Sequence, residues 1–171
     1  MEIKFTVQGM LIYAAMAAYL LGFAMHTLGY ILRSNRWRAA SLVLYAVGAV
    51  IAWQGKFLLF RRRLFPFQYT IVAGHWDSND PTPEAAITRE IAEEAGLALH
   101  PAGSPLVETL KDPCRRGADF HEWRLYRFTV GGHQVTMSEE ADIIGWYSPE
   151  EIRGLDLTIP TEYFFKKLQI I

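Results

Sequence analysis

Polar and apolar positions divide this chain near residue 38. From Phe5 through Leu32 there is no Asp, Glu, Lys or Arg, and Met10 through Met25 is apolar on every face a helix could present. At about 1.5 Å of rise per helical residue such a run covers the roughly 30 Å hydrocarbon layer of a bilayer, so residues 5–32 predict a transmembrane helix. A cleaved secretory signal fits less well, because the run exceeds the usual apolar core of such signals and only Lys4 precedes it as a basic side chain. Arg33, Arg36 and Arg38 follow at once. Basic residues flanking a span tend to stay in the cytoplasm, which places the N-terminus outside and the remainder of the chain inside.

Two readings compete for Ala39–Trp53. As a second span, making a helical hairpin with the first, it has 17 uncharged residues between Arg38 and Lys56, the short limit for crossing a bilayer. As a strand it fits better. Val47–Trp53, the Gln54-Gly55 pair and Lys56–Arg61 make two β-rich runs joined by two residues, the pattern of a β-hairpin. The strand reading is preferred. Phe67–Ala73 then predicts a short strand and Gly74–Pro81 a polar loop. Thr82 as N-cap, Pro83 at the first helical position and Gly96 past the end frame a helix over Pro83–Ala95. Further on, His121–Val130 predicts a strand, Gly131-Gly132 a hairpin turn into His133–Met137, and Ile143–Tyr147 another strand. Ser148-Pro149 predicts a helix start, and Thr161–Leu168 a closing helix after Pro160. The domains expected are a membrane anchor over 1–38 and a mixed α/β domain over 45–171.

Charge adds one exclusion. With 17 basic residues against 18 acidic ones the formal charge is −1, so no global field draws the chain to nucleic acid, and no duplex partner is expected. Cys114 is the single cysteine. It can form no internal disulfide, has no second thiol for metal-ligand spacing, and reads as an ordinary loop residue.

Chemistry concentrates on the central helix, in Arg89-Glu90-Ile91-Ala92-Glu93-Glu94-Ala95-Gly96-Leu97. Glu90, Glu93 and Glu94 are spaced i, i+3 and i+4, so their carboxylates crowd one face. Glu93 and Glu94 also stand in the last turn, where the helix dipole disfavours anions by about 0.3 to 1 kcal/mol each. Three hard oxygen ligands on a rigid face suit Mg²⁺ or Mn²⁺, and without an ion at least one carboxyl should have a raised pKa. A solvated acidic face, with Arg89 paired to Glu93, is the bland alternative for three glutamates alone. The pattern Arg, Glu, apolar, any, Glu, Glu, any, Gly, apolar has a chance occurrence on the order of 10⁻⁵ in a chain this long at ordinary residue frequencies, which counts against the bland reading.

The stretch Gly74–Leu97 resembles the Nudix box, and Ala46–Arg62 is similar to the first two strands of that fold. The resemblance implies a Nudix-type mixed-sheet α/β/α sandwich over about 45–171 and a Mg²⁺- or Mn²⁺-dependent pyrophosphohydrolase acting on a small-molecule diphosphate. It implies Glu93 and Glu94 as principal metal ligands, Glu90 as a further ligand or general base, Arg89 as the residue that orients Glu90, and the Gly74 carbonyl as part of the metal shell. A further acidic ligand is expected from a later loop, at Glu140 or its neighbour Glu139. One departure stands out. The box glutamate falls on Pro81 counting back from Arg89 and on Asp80 counting forward from Gly74, so the loop is one residue longer. That keeps open a second function, a non-catalytic nucleotide-binding sensor on a membrane anchor.

Remaining features carry less. Arg61–Arg63 could grip phosphate or anionic headgroups. His121-Glu122-Trp123 reads as a strand with mixed faces, and Asp112-Pro113 with Arg115-Arg116-Gly117 as a loop. Met10–Trp53 is weakly similar to the opening helices of the membrane-bound cytochrome c assembly family, mostly in apolar composition.

Overall fold

The computed structural model describes residues 43–171. The predicted membrane helix over 5–32, its basic flank and the cytochrome c assembly resemblance over most of its length fall outside them. Among the described residues no helix is long and apolar enough to cross a membrane.

Strand β1 (Val43–Trp53) is the spine of the domain. Along one edge it pairs in parallel with β6 (Phe120–Thr129), from Val43↔Phe120 to Ala52↔Thr129. Its other edge is shared. At the C-terminal end it turns through Gln54 and Gly55, with φ of 46° and 77°, into antiparallel β2 (Lys56–Arg62). Two successive positive φ values are what a two-residue hairpin of matching twist requires. Further back the same edge takes β4 (Val72–His75), with Val47 opposite Gly74. Strand β5 (Leu106–Lys111) lies beyond β6, while β3 (Tyr69–Thr70) and β7 (Ala141–Tyr147) pair with β2.

Both faces of β1 are covered, which explains its resemblance to a membrane span. Ala46 and Val50 face a core that includes Trp123, Leu125, Phe164 and Phe165; Val47, Ala49 and Ile51 face one built with Ile87, Ile91 and Ala95. A strand buried on two sides loses polar alternation and reads as a continuous apolar run. The helical-hairpin alternative for Ala39–Trp53 is thereby overturned.

Helix α1 (Pro83–Ala95) covers one sheet face, and α2 (Pro149–Ile152) and α3 (Ile159–Lys167) the other. The result is the mixed-sheet sandwich expected. The caps of α1 are as read: Thr82 Oγ1 accepts from the Ala85 N–H, and Gly96, at φ 67°, donates to the Ala92 carbonyl at 3.1 Å. Only a residue at ease in the left-handed region ends a helix this way, and a Cβ there would also approach Thr136 to 2.8 Å.

Three expectations need correction. The strand predicted over Phe67–Ala73 is two strands, β3 and β4, because the Ile71 N–H leaves the ladder to donate to Thr161 Oγ1 of α3 at 3.1 Å. Strand pairing also runs on to His75, so Gly74 is a strand residue and not the start of the loop. The hairpin from Gly131-Gly132 into His133–Met137 does not form. Both edges of β6 are already taken by β1 and β5, and the segment instead crosses the end of α1, where the Thr136 N–H donates to the Ala95 carbonyl at 2.9 Å.

Candidate active site

The acid cluster is held where α1 leans on β4. Within α1, Ile87, Ile91 and Ala95 are fully buried against the sheet, which fixes the helix rotation. That rotation sends Glu90 and Glu94 back over β4. The fit at Gly74 is close: a Cβ there would overlap the Glu90 carboxylate. Glycine is required by space, since its φ is not in the left-handed region. Glu94 is only 6% exposed and accepts a hydrogen bond from the Ala73 N–H at 3.0 Å.

Burial dominates the electrostatics. It pushes the Glu94 carboxyl well above the ordinary glutamate range, and the charges of Glu90, Glu140 and Glu93 push the same way. Glu90, with its side chain 13% exposed, is raised by burial too, although the Arg89 guanidinium opposes the shift. Among the described residues Glu94 makes no salt bridge. A buried carboxylate with one backbone donor and only like charges around it is short of positive charge.

Arg89 organises the neighbours. Its Nε and Nη2 donate to the two Asp80 oxygens at 3.1 and 3.0 Å. Nη1 meets Glu90 Oε1 at 2.9 Å and Glu93 Oε2 at 3.0 Å. The Asp80 pairing holds Arg89 above its usual range and Asp80 below its own. The Asp80 side chain is 8% exposed, against 60% for Glu93. Glu93 is therefore the most exposed of the three glutamates on α1.

Six of the residues singled out from sequence come together, while Glu139 is not among those lining the cavity. Gly74, Arg89, Glu90, Glu93, Glu94 and Glu140 line one open cavity of about 570 Å³. Glu140 arrives from the segment before β7, where the Arg63 N–H holds its carbonyl at 2.8 Å. Sequence reasoning missed two groups at the rim, Asp77 and Arg116, which are paired at 2.6 and 3.2 Å. No local pattern links residues 39 positions apart, and Arg115-Arg116-Gly117 reads only as a loop. Arg61, one of the basic residues considered for phosphate, is paired through its guanidinium to Asp142. His75 and His121 lie beside the cluster with their Nε2 atoms 3.2 Å apart. Burial, followed by Arg116 and His121, holds the His75 imidazole below its ordinary range.

The donor set fits a divalent cation. Carboxylates on one helix, a strand backbone that only glycine lets approach, and a buried acid short of positive charge are what a hard oxygen-ligated ion needs. Comparison with known proteins identifies the family: the NUDIX domain matches residues 43–168, and the chain belongs to the Nudix family. Solved structures agree on the fold. The NUDIX domain of Shewanella oneidensis NrtR, in a cocrystal with ADP ribose, superposes with a TM-score of 0.64 at 16% identity, over 82% of this chain and 96% of that one. A MutT NUDIX hydrolase from Burkholderia pseudomallei gives 0.63 at 25% identity, over 73% and 97%. A bifunctional NMN adenylyltransferase/ADP ribose pyrophosphatase from Francisella tularensis gives 0.59 at 18% identity, over 82% and 45%. A search of curated protein sequences finds no match.

Proposed function

We propose that this chain is a divalent-metal-dependent pyrophosphohydrolase that cleaves the diphosphate linkage of a nucleoside diphosphate derivative. The observation that carries the reading is Glu94, a buried carboxyl raised by desolvation and beset by Glu90, Glu93 and Glu140, with no cation paired to it among the described residues. Glu93, Glu94 and the Gly74 carbonyl would hold Mg²⁺ or Mn²⁺, with Glu90 and Glu140 completing the donor set. When bound, such an ion neutralises phosphoryl charge and lowers the pKa of coordinated water.

The chain's own residues supply position and proton handling. Arg89, fixed from behind by Asp80, steadies Glu90 through Nη1. Glu90, its carboxyl raised by burial and held by Arg89, is the group placed to accept a proton from water and return it. Arg116 stands at the rim beside Asp77, placed to meet an anionic substrate. The Asp80–Arg89 pairing weighs against the binding-only alternative, since that reading drew on loss of the box glutamate.

ADP ribose, present with the NrtR domain and in the name of the Francisella enzyme, is the first substrate to test. The experiment is a Mg²⁺-dependent hydrolysis screen over dinucleotides, sugar nucleotides and damaged nucleotides, with Glu93→Gln alongside. Turnover lost on the order of 10²-fold or more in the variant supports the assignment; tight binding without turnover in the parent refutes it. We further infer, from the apolar run over 5–32 and the basic residues after it, that the domain is tethered to a membrane and faces the cytoplasm.

A further inference from the structure

Beyond the acid cluster the domain carries a second set of potential ligands of different chemistry. His75 closes β4, Cys114 belongs to the turn between β5 and β6, and His121 opens β6. One ligand atom from each lies within 4.8 Å of the other two. We propose that His75, Cys114 and His121 form a binding site for a thiolate-seeking divalent transition metal, Zn²⁺ being the ion their chemistry suits best.

The geometry matches what an ion would require. Zn²⁺ binds imidazole nitrogen at about 2.0–2.1 Å in tetrahedral array, which separates two nitrogen ligands by roughly 3.3 Å. The two Nε2 atoms, in direct hydrogen-bond contact in the metal-free chain, are 3.2 Å apart, so an ion replacing the shared proton would need little movement of either ring. Coordination at both Nε2 atoms leaves both rings as Nδ1–H tautomers. For His121 that tautomer has a destination: Nδ1, buried and without a hydrogen-bond partner among the described residues, lies 3.7 Å from Asp112 Oδ2. Metal-bound histidines commonly pass their second N–H to a carboxylate in this way, which fixes the ring and strengthens the ligand.

Cys114 is well placed to join. The turn holding it is closed by bonds from the Cys114 N–H to the Ala118 carbonyl and from the Gly117 N–H to the Cys114 carbonyl, each 3.0 Å. Gly117 takes the positive φ, 84°, that this tight return needs. The nearby cation, Arg116, is committed to Asp77. Two imidazoles and one thiolate leave a tetrahedral ion one open position, and this softer set selects against Mg²⁺, which prefers the oxygen donors of the neighbouring cluster. Bound metal would join the strand bearing Gly74 to the turn bearing Arg116, holding the cavity rim in one piece.

The test uses the full chain, stripped with chelator and titrated with Co²⁺ and then Zn²⁺. Co²⁺ should saturate at one equivalent with a thiolate-to-metal charge-transfer absorption, and Zn²⁺ should displace it. Cys114→Ser should abolish the absorption and weaken Zn²⁺ at least 10-fold, with circular dichroism unchanged; His75→Gln should weaken Zn²⁺ by a similar factor. Glu94→Gln should leave the absorption as it is, which separates this site from the acid cluster and from the hydrolase reading. On the unmutated chain, one equivalent of Zn²⁺ should slow alkylation of Cys114 by at least 10-fold. Absence of the thiolate band in the parent, a band that survives Cys114→Ser, or alkylation indifferent to Zn²⁺ would each overturn the proposal.

Discussion

Replacing Glu94 by glutamine separates what that residue does for folding from what it does for metal. The parent carboxyl is buried, with a pKa raised well above the ordinary value by desolvation and by Glu90, Glu140 and Glu93. Each unit by which a folded-state carboxyl is raised opposes folding at neutral pH by about 1.4 kcal/mol. Glutamine keeps an oxygen to accept from the Ala73 N–H, as Glu94 does at 3.0 Å, and removes the charge. The metal-free variant should therefore melt at or above the parent. Metal reverses the order. Free Mg²⁺ at a hundred times its Kd adds about 2.7 kcal/mol to the folded parent. At about 3 °C per kcal/mol for a domain of this size, that raises Tm by about 8 °C. The variant should lose most of that shift together with turnover. Differential scanning fluorimetry in chelator and in saturating Mg²⁺ reads both quantities. A variant that melts several degrees below the metal-free parent, or that keeps the full Mg²⁺ shift, refutes the reasoning.

Stability without metal should also carry a pH signature. Burial raises the folded pKa of Glu90 and Glu94 above the ordinary glutamate value of 4.5, so the folded state holds more protons as pH climbs from there. Their contribution to stability is complete below that value and lost as pH rises through the raised folded values. His75, lowered by burial, acts in the opposite sense near its own range, so the measurement is the parent minus Glu94→Gln difference in urea stability, which should grow more negative between about pH 5 and 7 and flatten in Mg²⁺. A difference that stays flat in chelator contradicts the assignment. Arg89→Ala and Asp80→Ala should each depress kcat/KM, and their double-mutant cycle should show coupling of about 0.5–3 kcal/mol; additive losses mean that the pair does not act as a unit. Gly74→Ala puts a methyl group onto the Glu90 carboxylate and should cut metal-dependent turnover while the chain stays folded. Unaltered activity would show that the close approach is dispensable. Removing residues 1–38 should move the protein from the membrane fraction to the soluble one, and a full-length chain that partitions as soluble removes the tether.

Legibility in the sequence tracked how local the determining forces are. Thr82, Pro83 and Gly96 announce the bounds of α1 because caps act within a few residues of the helix end. The glutamates of α1 are equally plain, since acids in a last turn lacking any basic residue contradict local helix preference. What failed was decided at a distance. Strand β5 went unread because Glu108 interrupts its apolar side, and the structure answers that charge from α3, through Tyr163 Oη at 3.0 Å and Lys167 Nζ. The split of Phe67–Ala73 depends on Thr161, and the fate of His133–Met137 on which sheet edges were already filled. Cys114 looked inert because its two histidine neighbours come from other strands.

The lengthened box loop shows how a departure from a family pattern can be absorbed. Aspartate is one methylene shorter than glutamate, so Asp80 reaches Arg89 with its backbone held close. The loop does this at three points. The Asp80 N–H donates to the Asp77 carbonyl at 3.0 Å, the Trp76 indole N–H donates to the Asp80 carbonyl at 3.1 Å, and the carboxylate then takes both Nε and Nη2 of Arg89. Trp76 is itself located by Tyr45 of β1, whose ring lies 5.5 Å away, and by the Arg124 guanidinium 5.1 Å from its own ring. The extra residue thus makes room for a turn that delivers Asp80, and Nη1 stays free for Glu90 and Glu93. Read by position alone the glutamate is missing; in the folded chain Asp80 is the acid that holds the Arg89 guanidinium.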